Sequence, residues 1–121
     1  MANEITYGIS VTASKSGASV TGTASITATM SGAQMISNVQ IIGTSSEAIL
    51  LGDVATPGVV YIKNMDATNF VSISVLATAV AGTSFTKLLP GEACLFKAVS
   101  TQLTAIADTA EVNIQVIAIE L

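Results

Sequence analysis

The side chains best able to do chemistry are few in this sequence, and their spacing assembles none of the usual reactive sets. The 121 residues include no histidine, no arginine and a single cysteine. Without histidine, the Ser-His-Asp and Cys-His schemes lack the base that activates the nucleophile. The usual zinc sites fail as well, because one thiol cannot supply the missing ligands. Asp108 and Glu111 are the only acids within three residues of each other, and paired carboxylates can do acid–base work. Both flank an expected turn, where acids commonly sit for solvation. Asp53 after Gly52, and Glu92 after Pro90-Gly91, occupy equally ordinary loop positions. The loop Asn64-Met65-Asp66-Ala67-Thr68-Asn69 carries some oxygen ligands of a calcium loop. It lacks the glycine at the sixth position and the glutamate at the twelfth, where Asn69 and Val75 stand. Turn formation by Asn and Asp explains that composition better. Cys94, between Ala93 and Leu95-Phe96, reads as a buried thiol packing as a small hydrophobe. With no histidine anywhere and no arginine nearby in sequence, it is not expected to be a reactive nucleophile. Gly8, Gly17, Gly22 and Gly32 are too widely spaced to cradle a phosphate. No catalytic, cofactor-binding or metal-ligating residue is nominated. The expectation is a non-enzyme that needs no cofactor.

Composition points the same way. The chain is 50% hydrophobic but only 10% charged, against about 25% charged for a typical soluble domain. Ser, Thr and Ala replace the missing charge. Such a neutral surface suits packing against other protein copies, whereas a solitary monomer carries more charge for solubility. The net charge is −4, and Lys15, Lys63, Lys87 and Lys97 are scattered singly. No basic face is available to neutralise phosphates, so direct nucleic-acid binding is not expected. A single cysteine excludes an intrachain disulfide framework. Tyr7, Tyr61, Phe70, Phe85 and Phe96 are too few for a stacking platform or a carbohydrate-binding face. Each falls within an expected strand, so core packing is the expectation for all five. Ala67 to Thr86 carries no charge. Its Asn69, Ser72, Ser74, Thr78, Thr83 and Ser84 nevertheless fall at strand spacing, against a membrane-spanning helix. Met1-Ala-Asn-Glu lacks the basic start and apolar run of a signal peptide. Synthesis in a cytoplasm, without classical export or membrane association, is expected.

The elements that must position these residues read as strands. In Gly58 to Thr78, a β-branched and aromatic run (Val59 to Lys63) precedes the polar break Asn64–Asn69. Beyond it Val71, Ile73, Val75 and Ala77 alternate with Ser72, Ser74 and Thr78. Period-2 alternation on both sides of a turn cluster predicts an antiparallel strand pair. Glu4 to Val11 alternates as a half-buried strand, followed by a loop Ser14–Gly17 with Lys15 at its tip. Val20 to Met30 places Ile26, Ala28 and Met30 opposite a threonine-rich face. A break at Ser31-Gly32 leads to a strand over Met35 to Ile42, and Glu47 to Leu51 suits a short buried strand. Thr56-Pro57-Gly58 predicts a turn. Phe85 to Leu89 and Glu92 to Val99 predict a hairpin through a type II turn at Pro90-Gly91. Leu103 to Ala107 and Glu111 to Leu121 complete the set. The last strand is apolar on both faces at its far end, which predicts a central strand or one covered by a neighbouring subunit. Eight to ten short strands at regular spacing, with no long amphipathic helix and no linker, predict one all-β domain over residues 1–121. Its expected architecture is a single-domain antiparallel β-sandwich, jelly-roll-like.

Several of these segments carry a family likeness. The Ile49-Leu50-Leu51-Gly52 segment, Thr56-Pro57-Gly58, Tyr61-Ile62-Lys63-Asn64-Met65-Asp66-Ala67-Thr68-Asn69-Phe70 and Leu89-Pro90-Gly91-Glu92-Ala93 occur in that order. Over Glu47 to Leu121 the chain resembles small structural proteins of tailed bacteriophages. These motifs mark strands and turns, not a chemistry. The resemblance implies a virion component, a capsid decoration (cement) or head-fibre-base protein, assembled in the host cytoplasm. It implies a β-sandwich or jelly-roll fold, a homotrimer, and the major capsid protein or other virion proteins as partners. A compact all-β chain with few charges suits a repeating shell component whose copies close by rotational symmetry. The alternative is a tail- or fibre-associated module that recognises a host glycan through the polar loops at Asn64–Asn69 and Gly52–Gly58. The scarcity of aromatics opposes it.

Overall fold

The computed structural model describes residues 4–30, 32–55, 57–82 and 84–120. Expectations that fall on Met1 to Asn3, Ser31, Thr56, Thr83 and Leu121 lie outside the described residues. Those described form ten strands and no helix. In chain order they are β1 (Ile5–Lys15), β2 (Ala18–Ala28), β3 (Met35–Ile42), β4 (Glu47–Ala48) and β5 (Pro57–Asn64). Then come β6 (Val71–Ser74), β7 (Thr86–Leu88), β8 (Ala93–Lys97), β9 (Thr104–Ala107) and β10 (Val112–Glu120). Every pairing is antiparallel. β1 and β2 make a ribbon of their own. The other strands form two four-stranded sheets, ordered β3-β10-β5-β8 and β4-β9-β6-β7. The two sheets pack face to face as a sandwich. Val60, Ile62, Ile114 and Val116 from one meet Val71, Ile73, Ala105 and Ala107 from the other in a single apolar core.

β10 shows why the sandwich holds. It lies between β3 and β5, so both of its backbone edges are paired. Val112, Ile114, Val116 and Ala118 turn inward and are essentially inaccessible, while Ile117 and Ile119 lie half-buried on the outer face. The central position expected from its apolar character is observed.

Two predicted hairpins are not hairpins. β5 pairs with β10 and β8, whereas β6 pairs with β7 and β9, so Asn64–Asn69 carries the chain from one sheet to the other. Leu88 to Ala93 does the same, because β7 and β8 also lie in different sheets. The expected turn at Pro90-Gly91 is present. The Glu92 N–H donates to the Leu89 carbonyl at 2.9 Å, and Gly91 takes φ +82°, the conformation a type II turn demands at that position. Turn chemistry is local, but the choice of partner strand is not. Within the sandwich, only the β6–β7 connection stays in one sheet.

Other boundaries differ for similar reasons. Only Glu47–Ala48 of the AILL region pairs as strand. Ile49 and Leu51 are nonetheless buried, while Leu50 is exposed. Pro57 and Gly58 begin β5 instead of making a turn, and a register shift at Ile119/Glu120 accommodates Pro57. Val75 to Thr78 leave the strand. None of the five aromatics is fully buried. Phe96 packs against the core from a half-buried position, and Phe85 is 55% exposed. Branched aliphatic residues fill the centre.

The N-terminal strands are longer and less covered than their pattern predicts. Their turn is shortened to Ser16-Gly17, with φ +53° and +86°, the paired positive values of a type I′ hairpin. Ile5 is buried at the base, but Ile9, Val11 and Val20 are 52–64% exposed. The half-buried strand expected over Glu4 to Val11 is therefore exposed along most of its length, because no second sheet lies over it.

Candidate interaction surface

The register sorts the sandwich into two unlike ends. At one end lie the β3–β4, β5–β6, β7–β8 and β9–β10 connections, and at the other the β4–β5, β6–β7 and β8–β9 connections. The first end holds Asp66, Glu92, Asp108 and Glu111. The N-terminal ribbon enters β3 at the second.

Asn64 organises the acidic end. Its side chain is inaccessible, and its Nδ2 donates to the Asn69 and Leu88 carbonyls, both at 2.9 Å. Its Oδ1 accepts from the Asp66 N–H at 2.8 Å. Its backbone N–H donates to the Glu92 carbonyl and its carbonyl accepts from Gly91 N–H. The Asp66 carboxylate accepts from the Asn69 and Thr68 N–H groups at 2.6 and 2.9 Å. Those two backbone bonds hold its pKa below the ordinary aspartate value. Asn69 Oδ1 accepts from the Thr109 hydroxyl at 3.1 Å. The oxygens that suggested a calcium or glycan loop are thus engaged by the chain's own donors, and the loop is a sheet-crossing corner. Glu92 caps its turn through the Leu89 N–H at 2.8 Å. Asp108 and Glu111 flank the β9–β10 turn, the first half-buried and the second exposed. Lys87 stands over the Phe70 ring, its Nζ 5.0 Å from the centroid.

Cys94, opposite Ile62 in the β5–β8 ladder, is half-buried against the core. Burial pushes its thiol up to about 11, opposed by a backbone hydrogen bond from Ile62. The thiolate is therefore scarce at neutral pH, and with it the nucleophile.

The ribbon end is held by residues the sequence did not single out. Glu120, 8% exposed, accepts from Gln34 N–H at 3.1 Å and Ala55 N–H at 3.4 Å. It ties the β2–β3 and β4–β5 links to the end of β10. A lone acid closing an apolar strand was its one signal. Ser72, Ser74 and Thr104 are buried on the outer face of their sheet. Ser72 Oγ accepts from Gly82 N–H at 2.8 Å, and Ser74 Oγ from Leu76 N–H at 3.0 Å. Thr104 donates to the Leu76 carbonyl at 2.9 Å. These hydroxyls fasten the β6–β7 loop over the sheet.

Once fastened, that loop presents apolar side chains to water. Val75, Leu76, Val80 and Phe85 are about half exposed or more, and Val99 of the next loop is fully so. Phe85 meets Phe96 edge-to-face at 5.5 Å, beside a groove of about 290 Å³ between the two loops. A second group of exposed apolar side chains lies on the outer face of β3 and β10, interleaved with Ser37, Asn113 and Gln115. There Met35, Val39 and Ile41 are 58–60% exposed beside half-buried Ile117 and Ile119. Clusters of exposed apolar side chains of this kind mark interaction sites. No family model, curated protein or solved structure matches the chain. The arrangement offers broad contact surface and assembles no reactive constellation among the described residues.

Proposed function

We propose that this chain is a structural virion protein, a capsid decoration or cement component that reinforces a phage head shell through protein–protein contacts. The observation that carries the reading is the uncovered apolar surface at the ribbon end and on the outer face of β3 and β10. Side chains such as Met35, Val39, Ile41, Leu76 and Val99 stand in water where a solitary protein would carry charge. The sheet orders 3-10-5-8 and 4-9-6-7, with nearly every connection crossing between sheets, support a jelly-roll reading. That architecture serves viral capsid and lectin domains alike. The lectin-like use is disfavoured because the polar loop at Asn64–Asn69 spends its oxygens internally. The partner is the major capsid protein, and the expected assembly is a homotrimer.

The test is cosedimentation of the purified protein with tailed-phage heads, together with the temperature at which the heads disrupt. Saturable binding with a raised disruption temperature is expected. Binding that never saturates, or heads that disrupt unchanged when the chain is bound, overturns the reading.

A further inference from the structure

We propose that the apolar face of the β1–β2 ribbon is an interface between copies of this chain, with ribbons stacked face to face. The two faces of the ribbon separate cleanly. Tyr7, Ile9, Val11 and Ala13 lie opposite Ile26, Ala24, Gly22 and Val20, so all eight share one face. The other face, from the Thr6–Thr27 pair to the Ser14–Ser19 pair, is composed of Ser, Thr and Gly alone. Between Glu4 at the base and Lys15 at the tip, neither face carries a charge.

A two-stranded ribbon is at best marginally stable alone in water. Here its central aliphatic side chains are more than half exposed. Its cover must be apolar, uncharged and roughly 35 Å long, since each strand residue rises about 3.4 Å. A second ribbon meets all three conditions with the same twist, and it is present wherever the chain is made. Two such strips, each about 10 Å wide, bury roughly 700 Å² together by their dimensions and more with side-chain relief, close to the ~1,000 Å² from which specific interfaces are recognised. The stack is a small sandwich with Ser/Thr faces turned outward on both sides. That accounts for a threonine-rich face beside an apolar one on a ribbon that leaves the main core. The stack pairs two copies about a two-fold axis, so it joins one trimer to another and does not close the trimer itself, and it is independent of whether the assembly binds a shell.

The experiment compares the solution mass of the full chain by light scattering with that of two variants on opposite faces, Val11→Asp and Thr12→Asp. The wild type and Thr12→Asp are expected to associate. Val11→Asp is expected to need about tenfold more protein or greater to do so. A monomeric wild type, or equal behaviour of the two variants, overturns the proposal. A second measurement does not depend on the aspartates being tolerated. On a Cys94→Ala background, Val11→Cys is expected to be joined to a second copy by a bis-maleimide that spans about 10 Å, the spacing of stacked sheets and beyond the reach of a direct disulfide, and Thr12→Cys is not. Failure of Val11→Cys to cross-link overturns the ribbon contact. Head binding by a chain that does not associate in solution leaves the shell reading standing while removing this one.

Discussion

β1 and β10 read alike in the sequence and end in opposite surroundings. Both alternate apolar residues over about three turns of pleat. In β10 the inward set, Val112, Ile114, Val116 and Ala118, is inaccessible. In β1 the corresponding set beyond Ile5 stands largely in water. Both are rich in β-branched residues, and only the doubly apolar far end of β10 sets it apart in the sequence. What separates them is the number of neighbours. β10 has a paired strand on each side and a second sheet across the core. β1 has one partner, β2, and no sheet over its apolar face. Periodicity therefore specifies a strand and its two faces, while the cover for the apolar face is chosen by the rest of the fold or by another molecule.

The sharpest way to break this contrast is to truncate one isoleucine in each strand. Ile114→Ala empties a fully buried position, and removal of a buried aliphatic of this size costs about 3–4 kcal/mol. Ile9→Ala removes a side chain that is half exposed within one chain, so in dilute protein the expected loss is under about 1 kcal/mol. Thermal unfolding of both variants measures the difference. A loss at Ile9 equal to that at Ile114 places a cover over β1 and erases the contrast. A small loss that grows with protein concentration places that cover in a second copy.

A smaller effect separates the polar corner from both strands. Asn64 is as buried as Ile114, but its contribution is a set of hydrogen bonds that joins two crossing loops. Asn64→Ala leaves the Asn69 and Leu88 carbonyls and the Asp66 N–H without that partner. A loss of about 2 kcal/mol is expected, between the penalty for one orphaned buried group and that for several. Hydrogen exchange resolves where the loss falls. Faster exchange at Asp66 to Asn69 and Gly91 to Glu92, with β10 unchanged, is the expected pattern. Uniform acceleration through β10 makes Asn64 part of the core and not of a local corner.

The same distinction explains how much was legible in the sequence. Alternation located nearly every strand, and Met35–Ile42 came out with its observed limits. Pro90-Gly91 announced its turn type because proline and glycine act on their own φ angles. The pairing of β5 with β10, more than fifty residues away, has no local mark, so Asn64–Asn69 looked like a hairpin turn when it is a bridge between sheets. The Ser72, Ser74 and Thr104 hydroxyls were equally hidden. Serine on the polar side of a strand normally faces water, and only the path of residues 75–82 turns these into buried anchors. Of the candidate surface, the apolar residues were visible as letters. Their exposure was not, because strand alternation is silent about which face is covered.

The smallest effect refines the corner itself. Asp66 sits where the Asn69 and Thr68 N–H groups converge, and these hold its carboxyl below the ordinary aspartate range. A depressed folded-state pKa means that the carboxylate favours the folded chain above the unfolded-state value. That contribution is lost as pH falls through the lower folded value, so the affected window lies below about pH 4. Asp66→Asn keeps an oxygen that can accept the same two N–H bonds but removes the charge that titrates. Its thermal midpoint is expected to fall only slightly at neutral pH, because the group is only half-buried and its charge is largely screened by water. Its midpoint is also expected to vary less steeply than the wild type's below pH 4. Parallel acid limbs for the two proteins assign the acid sensitivity to other carboxylates. A flatter limb places part of it in the corner that Asn64 and Asp66 build together, away from the ribbon and its open face.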